Sequence, residues 1–237
     1  MGLLSLTHKK NDPELGIVNE YKPLLVSGSL LAADLLAIVI SFTLSYYLRL
    51  WLIPVIGGVL SFKQVAPLFL LIVIFILVIF LFAGFYPGHG RTGVVEFREI
   101  VYIVSFSHVI VALIIFILGY GPRFSRLVFL FNWIFSLILI TTFRLIVHNR
   151  GSLRSWWGQP AVVIGGMEDT SQVIKHLQSA RRIAYRPVAA ILLNQESSPG
   201  DVNGIPSFPY SEQLLEKIRN LHIRLAIFTD RSPSIDK

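Results

Sequence analysis

The sequence predicts a bundle of four membrane-spanning helices followed by a smaller, truncated α/β domain. Three observations carry that prediction: four long apolar stretches, a strand–glycine–helix junction after them, and the change in composition between the two. The stretches are residues 24–47, 65–85, 100–118 and 127–147. A helix rises about 1.5 Å per residue, so about 20 residues cross a hydrocarbon core roughly 30 Å thick. Residues 69–82 read FLLIVIFILVIFLF and lack the polar face that a helix on a soluble core would keep.

Composition agrees. Hydrophobic residues make up 54% of the 237 and charged residues 15%, a balance that excludes an ordinary soluble domain. There is no cysteine, which removes disulfides, zinc–thiolate sites and cysteine nucleophiles together. Residues 1–22 are of mixed charge, with no apolar core and no small-residue cleavage site, so the first span is expected to direct insertion itself. The net charge of +7 is shared along the chain: 10 Lys+Arg against 6 Asp+Glu up to residue 147, and 11 against 8 after it. With no polybasic run, no nucleic-acid surface is expected.

Lys9, Lys10, Lys22, Arg91, Arg98, Arg144, Arg150 and Arg154 fall on one side of the four spans. Arg49, Lys63, Arg123 and Arg126 fall on the other. The positive-inside rule then places both termini in the cytoplasm. The expected divisions are a cytoplasmic tail (1–22), a four-helix transmembrane domain (23–148), an interfacial linker (149–160) and a partial cytoplasmic α/β domain (161–237). Short connections holding Pro54, Pro87 and Pro122 predict antiparallel neighbours in one compact bundle. Gly28 with Ala32, and Ala33 with Ala37, are small residues one turn apart that would admit a close helix. In the linker, Trp156–Trp157 suits either the headgroup region or a cap on the α/β core.

Asp34 stands about ten positions into the first span, roughly 15 Å along the helix. A carboxylate there needs a partner or must be neutral. His108 and Ser136 lie at similar depth, so an Asp34–His108 contact is expected, as a structural clamp rather than a proton relay.

The α/β segment opens on a strand at 161–164, then Gly165–Gly166, then a helix at 168–180 with Val173, Ile174 and Leu177 on one face. A second strand (188–193), a polar loop (194–203), a helix (211–221) capped by Ser211 and a third strand (225–228) complete it. Strand, glycine turn and helix begin a Rossmann-like nucleotide-binding unit, which makes Gly165 and Gly166 the candidate cofactor-binding residues. The dinucleotide fingerprint nevertheless fails: Met167 and Thr170 occupy its later glycine positions. Glu168 and Asp169 also put two carboxylates where a phosphate would sit. These departures favour a degenerate or ligand-free module over a true nucleotide binder. The six histidines lack metal-ligand spacing, and no triad or Walker pattern occurs. No catalytic residue and no metal ligand is expected.

Residues 85–98 read FYPGHGRTGVVEFR. Tyr-Pro-Gly-x-Gly followed by Val-x-Glu-Phe-Arg resembles the loop between the second and third spans of undecaprenyl-phosphate galactose phosphotransferases, in the bacterial sugar transferase family. The resemblance continues through Phe124–Arg126, Phe143–Arg144, WGQPAVVIGG from Trp157 and YRPVAAIL from Tyr185. It implies that a C-terminal catalytic domain, with an Asp-Glu dyad and magnesium, would move a hexose 1-phosphate from a UDP-sugar to undecaprenyl phosphate. No segment here matches that domain. The chain is therefore expected to be the anchoring, scaffolding or regulatory N-terminal portion, inactive alone and holding no cofactor. Its expected setting is the bacterial inner membrane, as a homo-oligomer. Polyprenyl phosphate and UDP-sugar would be reached only through the catalytic domain. The alternatives are the N-terminal part of a membrane nucleotide-sugar epimerase or dehydratase, or a standalone nucleotide-sensing membrane protein.

Read physically, Pro87 fixes φ while Gly88 and Gly90 permit reversals, so residues 86–90 form a stiff turn before Glu96 and Arg98 open the third helix. That turn serves either as a plain connector or as a docking surface. Tyr86, Pro87, Gly88, Glu96 and Arg98 are the docking candidates, with Asp34 and His108 as the structural ones.

Overall fold

The computed structural model describes residues 10–12, 17–19, 21–57, 60–88, 90–119, 125–179, 184–193, 200–221, 223 and 225–229. Of the sequence features above, Lys9, Pro122, Arg123, Phe124, three of the six histidines (His8, His89 and His222) and most of the polar loop at 194–203 lie outside the described residues. The chain divides into two compact units. One is Leu24–Arg150; the other joins Met1–Pro23 to Gly151–Lys237.

The helical unit contains α1 (Pro23–Trp51), the single turn α2 (Ile53–Ile56), α3 (Phe62–Phe82), α4 (Gly93–Ile117) and α5 (Arg126–Gly151). Among the described residues, four helices are long and apolar enough to cross a membrane, the number expected. Their ends differ from the apolar limits. α4 begins at Gly93, seven residues before the predicted start, because the Thr92 hydroxyl accepts a hydrogen bond from the Val95 N–H and caps it. Glu96 in the first turn adds its charge to the positive end of the helix. α5 likewise runs on to Gly151. Glu96, Arg98, Arg144 and His148 thus project from helices and not from loops.

The bundle inverts the rule for soluble proteins. Asp34, Ser41, Ser45, Ser107, His108, Asn132, Ser136, Arg144 and His148 are buried, whereas Leu36, Leu70, Leu81, Tyr102, Phe116 and Ile138 are exposed. In water that distribution would be unfavourable; it is the one that hydrocarbon surroundings would favour. An apolar core of Ala37, Ile38, Ile72, Ile76, Phe80, Ile100, Val104 and Ile140 fills the space between the polar groups. Ala37 belongs to that core and Ala33 is buried as well. Gly28 and Ala32 point outward, and no atom lies within 4 Å of a Cβ built on Gly28.

In the second unit, β1 (Lys10–Asp12) and β2 (Ile17–Asn19) form an antiparallel pair within the segment expected to be a plain tail. The main sheet contains β3 (Gln159–Gly165), β4 (Tyr185–Leu192), β5 (Gly200–Val202), β6 (Ile205–Pro209) and β7 (Leu225–Thr229), with α6 (Met167–Ser179) and α7 (Glu212–Asn220) connecting them. Its order is β5-β6-β4-β3-β7. β3 pairs in parallel with both β4 and β7, β4 pairs in parallel with β6, and β5 runs antiparallel to β6.

Three strands were predicted and five are present. The extra pair turns at Asn203–Gly204, both with positive φ, with Val202 opposite Ile205. Asn-Gly is the dipeptide that a two-residue hairpin turn demands, and the Asp201 carboxylate accepts the Gly204 N–H at 2.7 Å to brace it. Ser211 caps α7 as expected, accepting the Leu214 N–H at 3.2 Å. Trp157 is buried, and a Cβ on Gly151 would fall on its indole.

Candidate functional site

Two places collect the residues singled out from the sequence: a buried ionic cluster in the helical unit and the glycine turn in the α/β unit.

The cluster is built around Arg144 of α5, only 1% exposed. Its Nε and Nη2 donate to the two oxygens of Asp34 on α1 at 2.8 and 2.6 Å, a forked pair. Its Nη1 donates to Glu96 on α4 at 3.0 Å. The Tyr86 hydroxyl donates to Asp34 at 2.5 Å, and the His148 Nε2 lies 3.4 Å from the same Glu96 oxygen. The guanidinium carbon lies 4.6, 4.9 and 5.5 Å from the ring centroids of Phe85, Phe80 and Tyr86, within cation–π range. Burial, then the neighbouring Asp34 carboxylate, hold the Tyr86 phenol above its ordinary range and keep it a donor.

The loop after α3 is fastened to this cluster. Arg91 donates to Glu99 at 2.7 Å and to the Gly84 and Ala83 carbonyls at 2.8 and 2.6 Å. Phe85 stacks on Phe80 with centroids 4.5 Å apart, and Gly88 turns at a φ of 72° where a Cβ would stand 2.8 Å from the Phe85 carbonyl oxygen. Only glycine fits there.

The expected Asp34–His108 contact is not formed, and this corrects the sequence reading. His108 Nδ1–H donates to the Val104 carbonyl at 2.8 Å, and its Nε2 accepts from the Asn132 amide at 3.2 Å. Ser136 of the same region pairs with Ser41 at 2.9 Å. Asp34 and His108 are both buried, but their helices turn them toward different partners. The structure instead unites Asp34, Tyr86 and Glu96 through Arg144. Pro87 is half-buried in the loop, and Arg98 is exposed on α4, outside the cluster. The sequence signal missed was Arg144 itself: an arginine well inside an apolar span needs a carboxylate as much as Asp34 needs a cation.

At the other place, Gly165 ends β3 and Gly166 leads into α6. A Cβ on Gly165 would collide with the Thr229 hydroxyl and stand 2.7 Å from the Thr229 carbonyl oxygen. The close approach that glycine permits here is therefore taken by β7, whose Thr229 hydroxyl donates to the Ile164 carbonyl at 3.4 Å. Gly166 meets nothing within 4 Å and its φ is not positive. Met167 is exposed, and Glu168 and Asp169 occupy the first turn of α6. Among the described residues, no group of three or more His, Asp or Glu has the arrangement to hold a metal ion.

A family model described as a CoA-binding domain matches residues 67–229. The match starts inside α3 and ends at the last residue of β7, so it takes in the loop, the sheet and the Tyr86, Glu96, Arg144 and His148 members of the cluster, while Asp34 on α1 lies before it. Domains of this family occur in bacterial proteins associated with sugar transferases. No curated protein matches the chain.

Proposed function

Because the chain belongs to the CoA-binding domain family, we propose that it is the membrane-anchoring and scaffolding part of a bacterial sugar-1-phosphate transferase. That enzyme would move a hexose 1-phosphate from a UDP-sugar to undecaprenyl phosphate at the inner membrane. In this reading the four helices span the bilayer, both termini are cytoplasmic, and the chain self-associates.

One observation carries the reading. The charges of the cluster are consumed in binding one another, so Asp34, Glu96, Arg144 and Tyr86 hold α1, the Tyr-Pro-Gly loop, α4 and α5 in one arrangement. Groups so committed cannot also bind a substrate or move a proton without breaking the bundle. The cluster makes a rigid platform and is not a reaction centre.

Coenzyme A, the ligand in the family's name, does not fit the glycine turn. Thr229 fills the space beside Gly165, Met167 stands where the fingerprint has its second glycine, and two carboxylates flank the start of α6. No step is assigned to a cofactor there.

The chain, purified and reconstituted with undecaprenyl phosphate and magnesium, is expected to release no UMP from UDP-galactose or UDP-glucose above a protein-free control. Robust release would overturn the scaffold reading. Assembly gives a second test. Arg98, with Val94 and Phe97, is exposed on α4 beside the fixed loop. Arg98→Glu is expected to lower the crosslinked oligomer fraction several-fold with no change in helical content. An unchanged fraction would leave the loop a plain connector.

A further inference from the structure

The α/β unit has a cavity of about 620 Å³ at the end of the sheet opposite the glycine turn. Its walls are the segment following α5 and the start of β4, and the chemistry it presents is one-sided. Arg154 and Arg186 line it together with Ser152, Ser155 and Tyr185. Among the described residues of its wall there is no carboxylate. Arg186 donates one Nη1–H to the Ser155 carbonyl at 2.6 Å, which orients its guanidinium, and Arg154 is exposed with no salt bridge among the described residues.

Two guanidinium groups and hydroxyls around a space with no acid are the donor set that phosphate oxygens take. Chain continuity says where that space lies. Ser152 follows the last residue of α5, and Lys22 precedes the first residue of α1. The Lys22 N–H donates to the Trp156 carbonyl at 3.3 Å. Residues at span ends lie at headgroup depth.

We propose that this cavity binds a phosphate-bearing group, gripped by Arg154 and Arg186. The phosphate comes from a lipid headgroup or from a soluble nucleotide, and the same two side chains serve either. This does not rest on a sugar-transferase role; it needs only that α1 and α5 span the bilayer.

The full chain in dodecyl maltoside, a phosphate-free detergent, is titrated with short-chain phosphatidylglycerol in one arm and with UDP or inorganic phosphate in others. Emission of the tryptophans, two of which are Trp156 and Trp157, reports binding. Saturable binding of at least one probe is expected, with affinity falling about tenfold or more in Arg154→Gln through loss of a charged hydrogen bond. Arg186→Gln is expected to act likewise, and Arg154→Gln guards against misfolding because that side chain is exposed. Binding of the lipid alone identifies a headgroup; binding of UDP or phosphate identifies a soluble ligand. If no probe saturates, or if Arg154→Gln binds each probe as the unaltered chain does, the proposal fails.

Discussion

Arg144→Ala is expected to destabilise the helical unit by about 3–5 kcal/mol, the cost of leaving buried charges without their partner. The substitution strips Asp34 of a forked pair at 2.8 and 2.6 Å and Glu96 of its contact at 3.0 Å, while Asp34 stays fully buried. It also opens a void beside the stacked rings of Phe80 and Phe85. Arg144→Lys is expected to recover only part of the loss, since an ammonium cannot reproduce the fork to Asp34 and still reach Glu96. Replacing Asp34 and Arg144 together by leucine removes both charges and is expected to cost less than Arg144→Ala alone. The check is reversible unfolding of the full chain in mixed micelles, followed by helical circular dichroism. An Arg144→Ala chain within about 1 kcal/mol of the unaltered one would mean the ion pair is incidental, because surface pairs are worth no more than that.

The second large effect separates two adjacent glycines. Gly165→Ala is expected to destabilise the edge of the main sheet by about 1–3 kcal/mol, the usual range for overpacking. Its new methyl has no room beside Thr229, so β7 must move away from β3. Gly166→Ala points into open space and is expected to change stability by less than about 0.5 kcal/mol. Thr229→Ala in the Gly165→Ala background removes the hydroxyl and is expected to return part of the loss; the Thr229 carbonyl oxygen at 2.7 Å keeps the rest. Hydrogen exchange of β3 and β7 amides in the full chain reads this locally, without assuming that both units unfold together. Equal effects at the two glycines would point instead to a ligand-shaped turn.

The contrast also explains why the turn is legible as a motif and misleading as a site. A glycine after a short β-branched strand signals close approach of something, and sequence cannot say of what. Here the visitor is Thr229, 64 positions later and across a parallel pairing. The hairpin of β5 and β6 is the opposite case. Asn203–Gly204 was a local signal with a known turn geometry, overlooked because the flanking strands are three and five residues long and Pro206 and Pro209 interrupt their pattern.

The helical unit divides in the same way. The number and approximate placement of the long apolar helices were readable, since they depend on apolar length alone. So was the unease of Asp34 in its span. Its partner was not. Arg144 lies 110 residues away, and whether it or His108 meets Asp34 depends on how α1, α4 and α5 are rotated about their axes. Rotation is set by the packing of Ala37, Ile76, Phe80, Ile100 and Ile140 against one another. Hydropathy does not encode it when a helix is apolar on every side.

What the sequence by itself determined is therefore the run of four long apolar helices, the strand–glycine–helix opening of the sheet and the cap on α7. All three follow from properties carried within a few turns of one segment. The tertiary structure alone decided that Arg144 gathers Asp34, Glu96 and the Tyr86 loop, that Thr229 accounts for Gly165, and that Arg154 and Arg186 face one cavity. Each of these is a meeting of distant segments, fixed by helix rotation and strand order. Burial makes the pairing obligatory for the cluster, because an ion left alone there has no water to turn to.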